Sequence, residues 1–281
     1  MPKIVVTHHR PDLDAVMSCW ILLRFDAPKY GDAKLVFVDA GKTYKNLPPD
    51  DDSNVTHVDV GMGMYDHHHE GRYGTCASRL VWEMLVEEVV VSPLNEELLA
   101  MVNHANAIDT FEDCYWQEAS DTRFAFALSE VIPALHRLQI HDDEAVVRMC
   151  MVYLDGVYQR LKDRSKAIAA IEEGVKFDCI WGKAIVLITG ADDASKQAQK
   201  MGYDLVVISE PSNRYTAIKT SPKVAYPLRP LYDKIASIEN SDKWYYHNSD
   251  HMLFNGSRKG GVFVPTDLTL QELIDLIKNQ K

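Results

Sequence analysis

At 281 residues the chain is long enough for about two domains. Its 46% hydrophobic and 25% charged content is that of a globular protein, and no apolar run reaches the roughly 18 residues a membrane span needs. A formal net charge of -11 disfavours residence on duplex DNA, which usually selects a basic footprint. The N-terminus runs directly into a strand without a basic-then-apolar leader. The cysteines (Cys19, Cys76, Cys114, Cys150 and Cys179) are odd in number and scattered, the pattern of reduced thiols in a cytoplasmic protein.

In chain order, Lys3 to Val6 reads as a first strand and Val16 to Leu23 as a helix. Between them lies the loop Thr7-His8-His9-Arg10-Pro11-Asp12-Leu13-Asp14-Ala15. Ala33 to Asp39 is a second strand ending in an acid, and Pro48 to Asn54 a surface turn. A third strand, Val55 to Val58, runs into Asp59, followed closely by Asp66-His67-His68-His69. Strands alternating with helices, with acids and imidazoles at the strand exits, argue for a parallel sheet.

Ala77 to Val89 is helical by pattern, and Pro93 is expected to open the next helix, which leads to His104 and Asp109-Thr110. Thr122 to Leu138 reads as helix interrupted near Pro133. A long helix capped at Asp142-Asp143 runs towards Gly174, with the stripe Val147, Met151, Leu154, Tyr158, Leu161, Ile168 and Ile171.

A second α/β unit follows, with strands at 183–188 and 204–208 and a short helix at 192–201. Tyr215 to Thr220 alternates like an edge or one-face-exposed strand, and Thr269-Leu270-Gln271-Glu272 is a capping box opening the last helix. The fold class expected is α/β, with a parallel-sheet N-terminal domain (1–165) and a smaller α/β C-terminal domain (175–281) joined by the long helix.

Ligands of open α/β sheets bind outside the carboxyl ends of the strands, where both His/Asp clusters should converge. Carboxylates gathered there repel one another unless cations join them. Asp12, Asp14, Asp59 and Asp109 balance two divalent ions, with His8 and His67 as neutral ligands. Such a pair polarises a bridging water and clamps a phosphoryl oxygen, the design for in-line displacement. The bland alternative is turn and cap chemistry. Asp39 is a rival strand-exit acid, but Asp59 alone adjoins the histidine run.

His8, Asp12 and Asp14, with Pro11 and Ala15, resemble the first motif of the DHH phosphoesterase superfamily. Asp59 matches its second motif, Asp66-His67-His68 the name-giving third, and Asp109-Thr110 the fourth. The resemblance implies His8 and Asp12 on one metal, Asp14, His67 and Asp109 on the other, and Asp59 on both. It implies that His68 contacts the phosphate or assists its protonation, and that the metals are manganese, with magnesium or cobalt as alternatives.

Only six residues separate Asp59 from Asp66, as in the Myg-type exonucleases, and the Gly-Gly-Gly-His signature of the usual C-terminal domain is absent. The nearest equivalent is Asn255-Gly256-Ser257-Arg258-Lys259, whose Ser-Arg-Lys resembles the basic loop of family II pyrophosphatases. Arg258 and Lys259, with Ser257 and Asn255, are the expected phosphate contacts, and Arg214, His247 and His251 further candidates. Arg214, Lys219, Lys223, Arg229 and Lys234 form a locally basic stretch, which is either a phosphate-facing wall or a solvated face. His57 is expected to pack, His104 to orient a ligand, and His9 to be a surface or ligand-orienting group.

The resulting expectation is a hydrolase acting on a short single-stranded oligonucleotide or small nucleotide, without membrane or duplex DNA partners and with a homodimer kept open. A pyrophosphate or polyphosphate hydrolase is the enzyme alternative, and a metal- and nucleotide-binding regulator without turnover the other.

Overall fold

The computed structural model describes residues 2–138, 142–210, 215–256 and 264–280. The chain divides into two compact units, Met1–Gln159 and Arg160–Lys281. In the first, β1 (Ile4–His8) is followed by α1 (Leu13–Phe25), a single turn α2 (Ala27–Tyr30), β2 (Lys34–Val38) and β3 (Val55–His57). The strands form a parallel sheet in the order β2-β1-β3, as the alternation of elements predicts. β1 runs two residues further than its apolar core suggests, because Thr7 and His8 stay in register with Phe37 and Val38 of β2. His8 is therefore held by the sheet itself, and the loop proper is His9-Arg10-Pro11.

Every residue from Leu13 to Leu22 of α1 is buried. A helix covered on all sides shows no apolar stripe, which is why it reads as a plain hydrophobic run in sequence. It packs against α3 (Ala77–Glu87) and α4 (Glu96–Asp109). Asn95, whose side chain accepts from the Leu98 amide, starts α4 in place of Pro93. The side-chain cap sets the start, and the proline merely precedes it. A 3-10 turn at Thr122–Phe126 precedes α5 (Leu128–Arg137), which contains Pro133.

α6 (Asp143–Glu173) is 31 residues long and crosses from one unit into the other. Val146, Val147, Cys150, Met151 and Leu154 are buried in the first unit. Further along, Ala167 and Ile171 join the core of the second.

The second unit carries a six-stranded mixed sheet, β4-β5-β6-β7-β9-β8. Its strands are β4 (Val175–Cys179), β5 (Gly182–Ile188), β6 (Leu205–Glu210), β7 (Tyr215–Thr220), β8 (Tyr245–Tyr246) and β9 (Met252–Asn255), with helices α7 (Ala194–Lys200), α8 (Arg229–Ala236) and α9 (Leu270–Lys278). β7 corrects its edge-strand expectation: it lies between β6 and β9 with Tyr215 to Ile218 buried. β9, contributed from later in the chain, covers its free side, which a local alternation cannot reveal. The capping box at Thr269 and Glu272 is present and opens α9. The five cysteines are free thiols, and among the described residues no helix is long and apolar enough to cross a membrane.

Candidate metal centre

All six expected ligands belong to the first unit and meet at the carboxyl edge of its parallel sheet. His8 closes β1. Its Nδ1–H donates to the His9 carbonyl at 2.9 Å, which turns Nε2 toward Asp59 Oδ2, 3.3 Å away. A ring anchored through one nitrogen presents the other as a ligand. Asp12 is the N-cap of α1 and accepts from the amides of Asp14 and Ala15 through Oδ1. Ligand atoms of His8, Asp12 and Asp59 lie within 4.8 Å of one another.

Asp14, Asp109 and His67 form a second such group. Asp14 is buried in the first turn of α1, and its carboxylate accepts from the amides of Ala77 at 2.6 Å and Ser78 at 2.9 Å. It thereby satisfies the orphan donors at the start of α3, where Cys76 sits as a poor cap. Asp109 is the last residue of α4. His67 stands between the two acids, Nδ1 3.8 Å from Asp14 Oδ2 and Nε2 3.2 Å from Asp109 Oδ2.

Asp59 joins the groups. Oδ2 faces His8, and Oδ1 is 3.4 Å from His67 Nδ1. Its backbone occupies the left-handed region, φ +55°, an uncommon conformation in which Asp is better tolerated than most side chains. The turn is fixed by its amide donating to the Tyr65 carbonyl. It is also fixed by Gly61, φ +81°, where a Cβ would come within 3.0 Å of Thr43 Cγ2.

Two tests favour a cation pair. Asp59 Oδ1 and His67 Nδ1 are buried without a hydrogen-bond partner among the described residues, a costly state that a cation between them would relieve. The acids are also displaced from their ordinary behaviour. Burial, reinforced by Asp14 and Asp12, pushes Asp59 up to about 8 and Asp109 up to about 7. Burial is the largest influence on His8 and disfavours its protonation, but the bonds to Asp59 and the His9 carbonyl and the charges of Asp59 and Asp12 together outweigh it, and His8 is pushed up to about 9. His67 is lowered by burial and by neighbouring His68. Carboxylates forced toward proton uptake are deficient in positive charge, and an oxygen-plus-imidazole donor set suits hard or borderline divalent ions.

His68 is the exposed member of the turn, and its ring lies 4.1 Å from that of His67. Asp66 accepts from its Nδ1 at 2.6 Å and its amide at 3.0 Å, and from the Met62 amide at 2.7 Å. With Nδ1 thus engaged, Nε2 is the atom left for the cleft. Although burial raises a carboxyl, these bonds hold Asp66 below the usual range. Arg72 donates to the carbonyls of Met64 and Asp66 and closes the turn. The bracing roles of Asp66 and Arg72 were not anticipated; only the Asp-x-His spacing, typical of an Asx turn, hinted at the first. The cleft is about 350 Å³, with Ala40, Gly41, Val60 and Met62 completing walls formed by Asp66, His68 and every expected ligand except the buried Asp14.

Other candidates fall elsewhere. His57 is buried and accepts from the Tyr44 amide, as expected of a packed ring. His104 is exposed and stacks on Trp116, and His69 lies 3.2 Å from the Gly63 carbonyl. Asn255 needs correction: it is fully buried, donates to the carbonyls of Lys243 and Val264, and accepts from the Thr266 amide. A side chain with its hydrogen-bonding capacity so engaged braces β9 and has nothing to offer a phosphate. His251 lies 2.8 Å from Thr220 Oγ1, and His247 pairs with Ser249. Arg229 pairs with Asp233, while Lys219 donates to Ser195. Arg214, Ser257, Arg258 and Lys259 lie outside the described residues.

Comparison with protein-family models and with curated proteins gives no match. Among solved structures, RecJ in complex with Mg2+ from Thermus thermophilus is 13% identical with a TM-score of 0.31, over 98% of this chain and 49% of that one. Exonuclease RecJ bound to manganese is 12% identical with a TM-score of 0.32, over 98% and 89%. An exopolyphosphatase-related protein from Bacteroides fragilis is 13% identical with a TM-score of 0.25, over 98% and 90%. The chain spans about half the length of the first of these. Likeness at this level decides nothing about chemistry; the side chains do. The four motifs that resemble those of the DHH phosphoesterase superfamily converge, in order, on one edge of the first unit's parallel sheet.

Proposed function

We propose that the chain is a metal-dependent phosphoesterase that hydrolyses a phosphodiester in a short oligonucleotide or small nucleotide. The observation carrying this reading is the pair of adjacent ligand groups, His8-Asp12-Asp59 and Asp14-His67-Asp109, joined through the two oxygens of Asp59 and lining one cleft with every member but the buried Asp14. Two divalent ions, manganese by preference, fit these donors. When bound, such a pair supplies a nucleophile from water at neutral pH and neutralises charge on a phosphoryl oxygen.

The chain's own groups supply the rest. Asp59 fixes the spacing of the two groups, and the Ala77 and Ser78 amides hold Asp14. Asp66 orients His68 so that Nε2 can donate to a phosphoryl oxygen or protonate the leaving group. The cleft volume is at the small end of the roughly 300–1,000 Å³ usual for ligand sites. Together with the acidic net charge, this favours a small substrate or a chain end over long nucleic acid.

The test is manganese-dependent release of mononucleotide from a 5′-phosphorylated diribonucleotide, wild type beside Asp59→Asn. Release lowered at least a thousandfold in the variant, about 4 kcal/mol of barrier, is the expected result. Hydrolysis of pyrophosphate with the dinucleotide untouched would move the substrate class to phosphoanhydrides. Hydrolysis of neither, with manganese bound, would overturn the hydrolase reading.

A further inference from the structure

The His9-Arg10-Pro11 loop joins His8 at the end of β1 to Asp12 at the cap of α1, so its shape sets the distance between two of the three ligands of one metal position. This loop is short, contains a left-handed residue (Arg10, φ +54°) and exposes His9 and Arg10 while Pro11 is buried. Left to itself it would sample other shapes. It is instead tied at every residue. The His9 amide donates to Val38 of the neighbouring strand. Its ring lies 2.7 Å from Asp143 Oδ2, positioned to donate through Nδ1–H, and the Arg10 amide donates to Asp143 Oδ1 at 3.2 Å. The Pro11 carbonyl is 3.0 Å from His136 Nε2, which serves as its donor.

Asp143 is the first residue of α6 and His136 lies in the last turn of α5, both more than 120 positions along the chain. The side chains of both are largely buried, at 14% and 5% exposure, and His136 Nδ1 is 3.8 Å from Asp143 Oδ1. Neither is among the six expected ligands. Their bonds go to the backbone and side chain of the segment between two ligands.

We propose that His136 and Asp143 are positioning residues: a clamp that fixes the span from His8 to Asp12 and thereby sets the affinity of the metal position formed with Asp59. The inference rests on the metal-centre reading above. Groups that hold ligands in place contribute about 10–100-fold to metal affinity, and the same range is expected here. The clamp acts on one position only, because Asp14, His67 and Asp109 are held by α3, α4 and the Asp66 turn.

The experiment is calorimetric titration of full-length, metal-free protein with manganese. The proteins compared are wild type, Asp143→Ala, His136→Leu and His136→Gln, each checked for a cooperative thermal transition beforehand. Wild type should bind two ions. Asp143→Ala and His136→Leu should weaken one of them about 10–100-fold and leave the other within about twofold. His136→Gln, whose amide donor reaches the Pro11 carbonyl as Nε2–H does, should recover most of the loss. This rescue separates positioning from bulk packing, which Leu satisfies better than Gln.

As a second readout, amide exchange at residues 9–14 of the metal-free protein should accelerate in Asp143→Ala and His136→Leu but not in His136→Gln. Folded variants that bind both ions as tightly as wild type would overturn the clamp while leaving the metal centre intact. A wild type that binds no manganese would overturn the metal-centre reading, and this inference with it.

Discussion

Replacing Asp59 by Asn probes the centre without disturbing its shape, because Asn accepts the left-handed backbone as readily as Asp. The sign of the effect follows from proton linkage. In the metal-free protein the Asp59 carboxyl stands near 8, against about 3.9 in an unfolded chain, so the folded state retains a proton that the unfolded state releases. Stability is therefore lost as pH rises from about 4 to about 8. His8, raised to about 9, acts in the same direction: its contribution is complete below about 6.5 and lost as pH rises through about 9.

A displacement of this size corresponds to an upper bound of roughly 5 kcal/mol at pH 8, at about 1.4 kcal/mol for each tenfold change in proton affinity. The Asp59 contact with His8 is lost in the variant, and a buried amide replaces the acid, which together offset about half. The metal-free variant should thus be more stable than metal-free wild type by about 2–3 kcal/mol at pH 8. That is a rise in melting temperature of roughly 5–10 °C for a unit of this size, and the gap should close toward pH 4.

Manganese reverses the order, because a ligand that binds only the folded state stabilises it in proportion to the logarithm of its saturation. Wild type should gain from the metal and the variant gain little. The assay is thermal denaturation in chelator and in excess manganese at pH 4, 6 and 8. Equal stabilities of the two metal-free proteins at pH 8, or a gap that widens toward pH 4, would refute the assignment of Asp59 as a carboxylate buried for want of cations.

Three further outcomes are expected. His68→Ala should lower turnover of the preferred substrate by about 10²–10⁴-fold, the range for loss of a proton donor, with manganese affinity within threefold; a matching loss of metal affinity would make His68 a ligand instead. Ala77→Pro places proline at the first helical position, but deletes the amide that Asp14 accepts from and turns the ring Cδ toward that carboxylate. It should destabilise the protein by at least about 1.5–3 kcal/mol, the worth of a hydrogen bond to a charged group, and a neutral result in urea denaturation would discount that bond. Asn255→Ala leaves two carbonyls and one amide in β9 and its neighbours without their partner. The expected cost is about 2–4 kcal/mol with inorganic phosphate affinity unchanged, and a selective fall in phosphate affinity would restore Asn255 as a substrate contact.

The candidate ligands could be picked out of the sequence because they sit on local geometry. His8, Asp12 and Asp14 occupy a strand exit and a helix start, Asp59 and His67 the next strand exit, and Asp109 a helix end; short-range preferences for strands, caps and turns suffice to gather them at one sheet edge. The long helix, its acidic cap and the closing capping box were equally local. What folding decided depends on segments far apart. Asp14 caps a helix more than sixty residues away, and His136 and Asp143 reach back across the first unit to the loop beside His8. β7 is interior because β9 pairs with it, and Asn255 is buried because Lys243, Val264 and Thr266 close over its amide. Local sequence states what a residue can offer; which partner claims it is set by long-range packing.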